Sequence, residues 1–165
     1  MSFTKATKQN IKIRLAIVGP AGSGKTFSAL TIARGLSDRV ALIDSEHGSA
    51  AKYADLFDFD TVNLENHSPQ TYINMIHEAE AAGYGCLVID SLSHAWNGVG
   101  GALEMVDAAA AANRGNSFAC WKNVTPLHRR LIDAIIGSKM HVIATMRAKT
   151  EYIIEDIGGK KVPRK

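Results

Sequence analysis

The sequence predicts an α/β fold, a three-layer sandwich with a mostly parallel central sheet between layers of helices. Short runs of apolar residues alternate along the chain with segments of helical periodicity, which is the pattern of strands buried on both faces. Polar or glycine residues follow each run, as expected at the edge where such sheets bind ligands. The runs that predict core strands cover residues 11–18, 40–43, 86–89 and 141–146.

The length and composition of the chain indicate one globular core. The 165 residues are enough to bury such a core, and 46% hydrophobic with 21% charged residues is typical of a globular domain. We expect this core over residues 11–150, an N-terminal tail over residues 1–10 and a basic hairpin segment over residues 151–165. No apolar run has the length of a membrane span, and the N-terminus lacks a signal-peptide core. We therefore expect a cytoplasmic protein without a membrane partner.

Neither the cysteines nor the histidines form a pattern of metal ligands. Cys86 and Cys120 lack the paired spacing of a metal site and lie in apolar or aromatic surroundings, so we expect reduced core residues. The six histidines also lack the His–His and His–Cys spacings of metal ligands, which argues against a zinc site.

The loop after the first predicted strand matches the phosphate-binding pattern G-x-x-x-x-G-K-[ST] at every fixed position. Gly22 and Gly24 can adopt backbone angles that are closed to residues with a Cβ, so consecutive N–H groups can turn toward phosphate oxygens. Lys25 opens the following helix, where its ammonium bridges the β- and γ-phosphates, and the Thr26 hydroxyl is an expected ligand of Mg²⁺. The motif therefore predicts a bound nucleoside triphosphate. The expected nucleotide-binding residues here are Gly19, Pro20, Ala21, Gly22, Ser23, Gly24, Lys25, Thr26 and Phe27.

Two carboxylates that follow buried strands complete the predicted site. Residues 86–89 are apolar and lead to Asp90, the signature of a strand that delivers a carboxylate toward Mg²⁺, here through a water molecule. Ser91, not glutamate, follows Asp90, so the catalytic carboxylate must come from elsewhere. Glu46 follows the strand over residues 40–43, and we predict that it orients the attacking water; the alternative is an exposed loop acid. We also expect this second strand to lie beside the first.

Periodicity and turn residues predict the remaining elements. Pro69 suits the first turn of one helix, and Pro126 suits the first turn of another. Glycines on both sides of the alanine-rich segment indicate a mobile excursion between Asp90 and Lys122. Helices are predicted over residues 27–34, 50–56, 70–82, 102–112 and 125–138, a short strand over residues 61–64 and a hairpin over residues 152–162.

Three short strings resemble the RecA recombinases. The resemblance extends over residues 15–149, which is most of the chain. It implies a RecA-like P-loop NTPase fold, with ATP as the bound nucleotide. The strings are Ile-Asp-Ser-Glu-His at residues 43–47 with Tyr53 beyond it, Leu-Val-Ile-Asp-Ser at residues 87–91, and the pair Arg147 and Lys149 after the last strand.

The resemblance also implies roles for individual residues. Glu46 would activate the attacking water, and Tyr53 would stack on the adenine ring. Arg147 or Lys149 would contact the γ-phosphate, either within the subunit or as an arginine finger from a neighbour. One position departs from the recombinases: Thr145 stands where they have a glutamine that senses the γ-phosphate, and its shorter side chain cannot reach as far. The sensing role is then absent or is taken by Arg147.

The chain is still more similar to small phage-encoded ATPases that consist of a bare RecA core. The similarity is carried by residues 3–8, Trp121 and residues 141–152. Several of these ATPases are associated with recombination and single-strand annealing. The similarity implies a homo-oligomer, as a ring or a filament, in the cytoplasm of a bacterial host.

Both ends of the chain bear on this similarity. Phe3 and Ala6 resemble a short motif by which recombinase subunits bind their neighbours, which makes the tail over residues 1–10 a candidate oligomerisation arm. The phage relatives continue with further strands beyond the position of Lys165. We therefore expect either a truncated chain or a naturally curtailed core.

Charge is distributed unevenly, which bears on a nucleic-acid partner. Residues 1–40 carry +6, residues 41–110 carry −10 and residues 111–165 carry +7, within a net charge of +3. Such blocks are often solvated faces, but the resemblance implies that two loop regions contact single-stranded DNA. Trp96, Phe118 and Trp121 are candidates for base stacking or for core packing. The expected DNA contacts are Lys149, Lys160, Lys161, Arg164 and Lys165.

Three functions fit the sequence. The first is Mg²⁺-dependent ATP hydrolysis by a RecA-like ATPase, coupled to single-stranded DNA binding in phage recombination or repair. The second is a small-molecule kinase, which the lack of an arginine-rich lid and the presence of Glu46 disfavour. The third is an ATP-dependent DNA-binding or annealing module that hydrolyses little ATP.

Overall fold

Strands and helices alternate along the part of the chain that the structure describes. A computed structural model describes residue 5 and residues 11–112, 117–148, 153–157 and 160–164. The strands are β1 (Arg14–Gly19), β2 (Val40–Asp44), β3 (Asp60–Asn63), β4 (Cys86–Asp90), β5 (His141–Arg147), β6 (Ile153–Ile157) and β7 (Lys160–Arg164). The α-helices are α1 (Lys25–Leu36), α2 (Pro69–Ala81), α3 (His94–Asn97), α4 (Ala102–Ala112) and α5 (Ser117–Gly137), and a 3₁₀ helix spans Ser49–Tyr53.

Five of these strands form one parallel sheet in the order β1-β5-β4-β2-β3. Successive strand residues point to opposite faces of a sheet, and both faces are covered here. On one face Leu30 of α1 packs with Leu42 and Val88. On the other face α2 and α5 pack through Tyr72 and Leu131. The predicted three-layer α/β fold is therefore confirmed.

The central strand β4 is buried because helices cover both faces of the sheet. Its four apolar residues and Asp90 are all buried, which explains why the strand reads as a continuous apolar run.

Cys86 and Cys120 are both buried, as expected for core residues. The predicted hairpin is also confirmed, because β6 and β7 pair as an antiparallel hairpin. Among the described residues, no helix combines the length and the apolar character that a membrane crossing requires.

The position of β2 in the sheet corrects one expectation. This strand pairs with β4 on one side and with β3 on the other, and β5 and β4 separate it from β1. The expectation that the second strand lies beside the first is therefore wrong. Instead β5 lies beside β1, with Arg147 opposite Gly19 in the register. Apolar runs of equal character do not specify their order in a sheet, which long-range packing decides.

The start of α5 corrects one more expectation. The described residues between Asp90 and Lys122 include α3, the predicted helix α4 and the start of α5. Helix α5 begins at Ser117, and Pro126 lies inside it rather than in its first turn. Proline removes one backbone hydrogen bond, but packing on both sides maintains the helix. Before the proline, Cys120 and Val124 pack against α4, and after it Leu131 packs in the main core.

Side chains form hydrogen bonds with backbone groups at the ends of two helices. Ser68 accepts a hydrogen bond from the Thr71 N–H at 3.2 Å ahead of α2, whose first residue is Pro69 as predicted. At the end of α5 the Arg14 guanidinium donates to the carbonyl oxygens of Ile136 at 3.2 Å and Met140 at 2.7 Å, and also to that of Ser138. Carbonyl groups at a helix end have no partner within the helix, so Arg14 joins β1 to the end of α5.

The packing of α5 predicts that substitutions of two similar aliphatic residues on this helix have different effects on stability. Leu131 is fully buried, whereas Ile136 is 63% exposed. We expect Leu131→Ala to lower the free energy of unfolding by about 2–5 kcal/mol, because it leaves a cavity in the core. The control Ile136→Ala is expected to change it by about 0.5 kcal/mol or less. Urea unfolding of both variants measures this difference, and equal effects would contradict the packing of α5 on the sheet.

Candidate active site

The loop between β1 and α1 has the backbone shape of an anion cradle. Gly22 and Gly24 have φ angles of 75° and 79°, which residues with a Cβ rarely adopt. A Cβ at either position would meet no atom within 4 Å, so backbone conformation rather than space requires glycine here. The open space above the loop fits the phosphates of a nucleotide, toward which such loops turn their N–H groups.

The side chain of Lys25 folds back over this loop. Its ammonium donates a hydrogen bond to the carbonyl oxygen of Pro20 at 2.7 Å. A phosphate oxygen accepts a stronger, charge-assisted hydrogen bond than a neutral carbonyl does. A nucleotide in the cradle would therefore compete with Pro20 for the ammonium.

Asp90 lies next to the start of α1 and is 1% exposed. Its carboxylate accepts a hydrogen bond from the Thr26 hydroxyl at 2.5 Å through one oxygen and from the Thr145 hydroxyl through the other. A hydroxyl and a carboxylate together at a phosphate-binding loop form the all-oxygen donor set that Mg²⁺ prefers. Thr26 and Asp90 therefore fit the requirements of a magnesium site.

Glu46 and Arg147 form a two-pronged ion pair above the end of the sheet. Arg147 Nε donates to Glu46 Oε1 at 2.8 Å, and the second contact joins Arg147 Nη2 and Glu46 Oε2 at 2.8 Å. The hydrogen bond from Arg147 lowers the pKa of Glu46 despite partial burial, and the charges of Arg147, His94 and Lys25 act in the same direction. The hydrogen bond to Glu46 correspondingly raises the pKa of Arg147. Glu46 is thus held as a carboxylate whose two oxygens both have partners.

The loop that carries Glu46 is fixed by Asp44 at the end of β2. The Asp44 carboxylate accepts hydrogen bonds from the N–H of Glu46 at 2.6 Å and from that of Ala50 at 2.9 Å. Between them the chain turns through His47 and Gly48, which have φ angles of 56° and 80°. This turn directs Glu46 back over the sheet toward Arg147.

One cleft of about 260 Å³ brings most of the predicted site residues together. Tyr53 lies at this cleft and contacts Phe27, with ring centroids 6.1 Å apart at an angle of 61°. An aromatic pair next to the loop is suited to a planar base. The residues that line the cleft are Ala21, Gly22, Ser23, Gly24, Lys25, Thr26, Glu46, Ser49, Lys52, Tyr53, Asp90 and Arg147.

Several residues at this site were not singled out by the sequence. Asp44 holds the Glu46 loop, and Ser49 and Lys52 line the cleft from the 3₁₀ helix. An aspartate ahead of a turn is the local signal that identifies Asp44, whereas nothing local indicates Ser49 or Lys52.

Thr145 is fully buried and donates to Asp90, so its side chain does not reach the cleft. Arg147, two residues later, is the β5 side chain that does.

The remaining predicted positions are not all described. Lys149 and Lys165 lie outside the described residues, as does the N-terminal tail except for Lys5. Lys160, Lys161 and Arg164 lie on β7. Their roles stay predictions.

The loop, the buried aspartate and the parallel sheet define a P-loop NTPase fold. The family model described as AAA domain matches residues 11–164. This match covers most of the chain, so the chain belongs to the AAA domain family, whose members are P-loop ATPase-like domains. Membership supports nucleotide binding, with ATP as the nucleotide. A search of curated proteins found no significant match.

The ion pair predicts how one substitution changes the titration of Glu46. Arg147→Gln removes the hydrogen bond and charge that lower the pKa of Glu46, so we expect this pKa to rise toward its ordinary value. In the wild type, the stabilisation from the pair is complete above that ordinary value and is lost as the pH falls through the lowered pKa. NMR titration of the Glu46 carboxyl measures the shift. Arg130→Gln, an exposed change on α5, is the matched control and should leave the titration unchanged.

Proposed function

We propose that the chain is a Mg²⁺-dependent ATPase that hydrolyses ATP to ADP and phosphate. The observation that carries this proposal is that one cleft is lined by the phosphate-binding loop, Asp90, Glu46 and Arg147. These groups supply an anion cradle, oxygen ligands for a cation, a carboxylate for water and a positive charge. Phosphoryl transfer needs little more than such positioning and charge stabilisation.

Binding engages the loop and the helix that follows it. The N–H groups of the cradle would face the phosphates, and Lys25 would exchange the carbonyl of Pro20 for the β- and γ-phosphate oxygens. Thr26, and Asp90 through water, would hold Mg²⁺, which when bound offsets the charge of these oxygens. Tyr53 and Phe27 would pack against the adenine ring.

Glu46 then acts on the water that attacks the γ-phosphate. The water oxygen forms a bond to the γ-phosphorus as the bond from that phosphorus to the bridging oxygen breaks. The proton that the water loses passes to Glu46 and then to the inorganic phosphate. Lys25 stabilises the negative charge that develops on the leaving ADP.

Arg147 must leave Glu46 before this step can occur. Its guanidinium lines the same cleft, so the γ-phosphate of ATP can accept the two-pronged contact that Glu46 now accepts. We propose that Arg147 contacts the γ-phosphate in this way, with Lys149 as a second candidate. Release of the carboxylate would then accompany the arrival of the triphosphate.

The biological role that we propose is single-stranded DNA binding in phage recombination or repair, by a homo-oligomer in the host cytoplasm. Support comes from the resemblance to RecA recombinases and from the +7 charge of residues 111–165. One observation favours an alternative, an annealing module with little hydrolysis. Both oxygens of Glu46 are engaged by Arg147, so an isolated subunit has its candidate base occupied.

The catalytic proposal predicts that one variant loses ATP turnover and that another loses ATP binding. Glu46→Gln should retain ATP binding and lower kcat by about 10²–10⁴, because it removes the group that polarises water. Lys25→Ala should lose affinity for ATP. Glu65→Gln, an exposed acid that does not line the cleft, is the control and should behave as the wild type. Phosphate release and ATP binding are measured with single-stranded DNA present. Wild-type turnover no faster than that of Glu46→Gln would favour the annealing module instead.

The DNA proposal predicts a change in salt dependence. Charge reversal of Lys160 and Lys161 should weaken single-strand binding and flatten the slope of log K against log salt by about 0.7 for each lost phosphate contact. Titrations of a single-stranded oligonucleotide at several salt concentrations measure the slope. Lys139→Glu, an exposed position before β5, is the control. An unchanged slope in the double variant would remove β7 from the DNA surface.

A further inference from the structure

A hydrogen-bond network around Ser45 lies behind the ion pair of Glu46 and Arg147. Ser45 precedes Glu46 in the chain and is 1% exposed. Its hydroxyl donates to the Ser91 carbonyl oxygen at 3.0 Å and accepts from the Ser91 N–H at 2.9 Å. The third neighbour of this hydroxyl is Nδ1 of His94, at 2.8 Å. The turn between β4 and α3 is therefore bonded to the residue that directly precedes the candidate base.

These contacts determine which nitrogen of His94 carries a proton. The Ser45 hydroxyl has one proton to donate, and the Ser91 carbonyl oxygen can only accept it. The Ser45 oxygen then accepts hydrogen bonds from the Ser91 N–H and from His94 Nδ1. All three contacts are satisfied together only when His94 Nδ1 carries a proton. His94 is thus a hydrogen-bond donor to Ser45.

Packing holds the His94 ring in this orientation. The ring of His67, which is 4% exposed, lies against it with ring centroids 5.2 Å apart at an angle of 50°. Burial is the largest cause that lowers the pKa of His67, so this neighbour packs as a neutral ring. A Cβ at Gly98 would lie 2.8 Å from His67 Nδ1 and 2.9 Å from the Cβ of His94, so the chain passes close to both side chains. His94 therefore cannot turn away from Ser45 without displacing a buried ring.

The same turn fixes the backbone of Arg147. Ser93, next to His94, accepts a hydrogen bond from the Arg147 N–H at 2.9 Å through its hydroxyl oxygen. This bond does not involve the guanidinium, so it persists when the Arg147 side chain moves to a phosphate. Glu46, in contrast, then loses the two contacts that Arg147 makes with its carboxylate. At that stage the backbone around Glu46 must hold the carboxylate in place.

We propose that His94 is a positioning residue: through Ser45 it holds the Glu46 loop in place after Arg147 has moved to the γ-phosphate. The proposal rests on the proposed ATPase function and adds a residue to that site. Asp44 holds the loop by accepting from the Glu46 N–H, and the bond between His94 and Ser45 holds the residue before it. His94 is not among the described residues that line the nucleotide cleft, so its effect passes through Ser45. A displacement of about 1 Å at the reacting groups can cost a factor of about 10² in rate.

Two substitutions of His94 separate its hydrogen bond from its packing. His94→Phe keeps a ring but has no donor for Ser45, whereas His94→Asn can place an amide N–H near the position of Nδ1. Phosphate release by the full chain is measured with single-stranded DNA present. We expect His94→Phe to lower kcat by about 10- to 100-fold and to change the KM for ATP by less than about twofold. His94→Asn should recover most of this loss. His77→Phe, the same substitution at an exposed position of α2, is the matched control and should behave as the wild type.

A double-mutant cycle tests whether His94 acts through Ser45. Ser45→Ala removes the acceptor of the hydrogen bond, so adding it to His94→Phe should lower kcat no further than the larger single effect. Losses of kcat that multiply in the double variant would overturn the proposal. A higher KM with unchanged kcat in His94→Phe, or equal losses in His94→Phe and His94→Asn, would also overturn it.

Amide hydrogen exchange separates this proposal from the ATPase proposal. The Glu46 N–H is bonded to Asp44, so its exchange reports on opening of the loop. The measurement uses the Arg147→Gln chain without nucleotide, in which Glu46 lacks the ion pair. Adding His94→Phe should speed this exchange by about two- to tenfold, and adding His94→Asn should leave it nearly unchanged.

The two proposals can then fail separately. Wild-type turnover no faster than that of Glu46→Gln would count against the ATPase proposal, while faster exchange in the His94→Phe chain would still support anchoring of the Glu46 loop by His94. Unchanged exchange in that chain would overturn the role of His94 whatever the turnover.

Discussion

The burial of one carboxylate is the constraint on which the rest of the site depends. A buried charge costs several kcal/mol unless hydrogen bonds replace its water. Asp90 receives them from Thr26 at the start of α1 and from Thr145 on β5, so three separate parts of the chain must meet around it. This meeting fixes the distance between the phosphate-binding loop and the two strands beside it. A carboxylate in this position is also pre-formed for a cation, because its environment is already polar and rigid.

The hydrogen bond between Thr145 and Asp90 holds β5 next to β4, and this position determines which side chains face each other. Since β5 lies between β1 and β4, Arg147 emerges beside Gly19, where the loop begins. Glu46 emerges from β2 on the other side of β4. Their contact therefore passes over the end of the central strand and joins residues that are 101 positions apart. Asp44 makes this possible by turning the Glu46 loop back over the sheet.

Local patterns predict the parts of this protein that are locally determined. The loop, the strand that ends in Asp90 and the bounds of α4 are recognisable because backbone conformation and burial leave periodic traces in nearby residues. The order of the strands leaves no such trace, since β2 and β5 are both apolar runs that end in polar residues. The Glu46–Arg147 pair depends on that order and could not be predicted as a contact. The start of α5 was missed because Pro126 satisfies the local rule for a first turn, while distant packing extends the helix beyond it.

Arg147 lines both the nucleotide cleft and a neighbouring cleft of about 580 Å³, and this shared position has a thermodynamic consequence. One guanidinium fork makes a complete two-pronged contact with one anion at a time. Ligands that use it from the two sides are therefore coupled rather than independent. Whatever factor a triphosphate applies to the affinity for the second ligand, that ligand must apply in return to the affinity for the triphosphate. A single side chain would then set the sign of cooperativity for the whole domain.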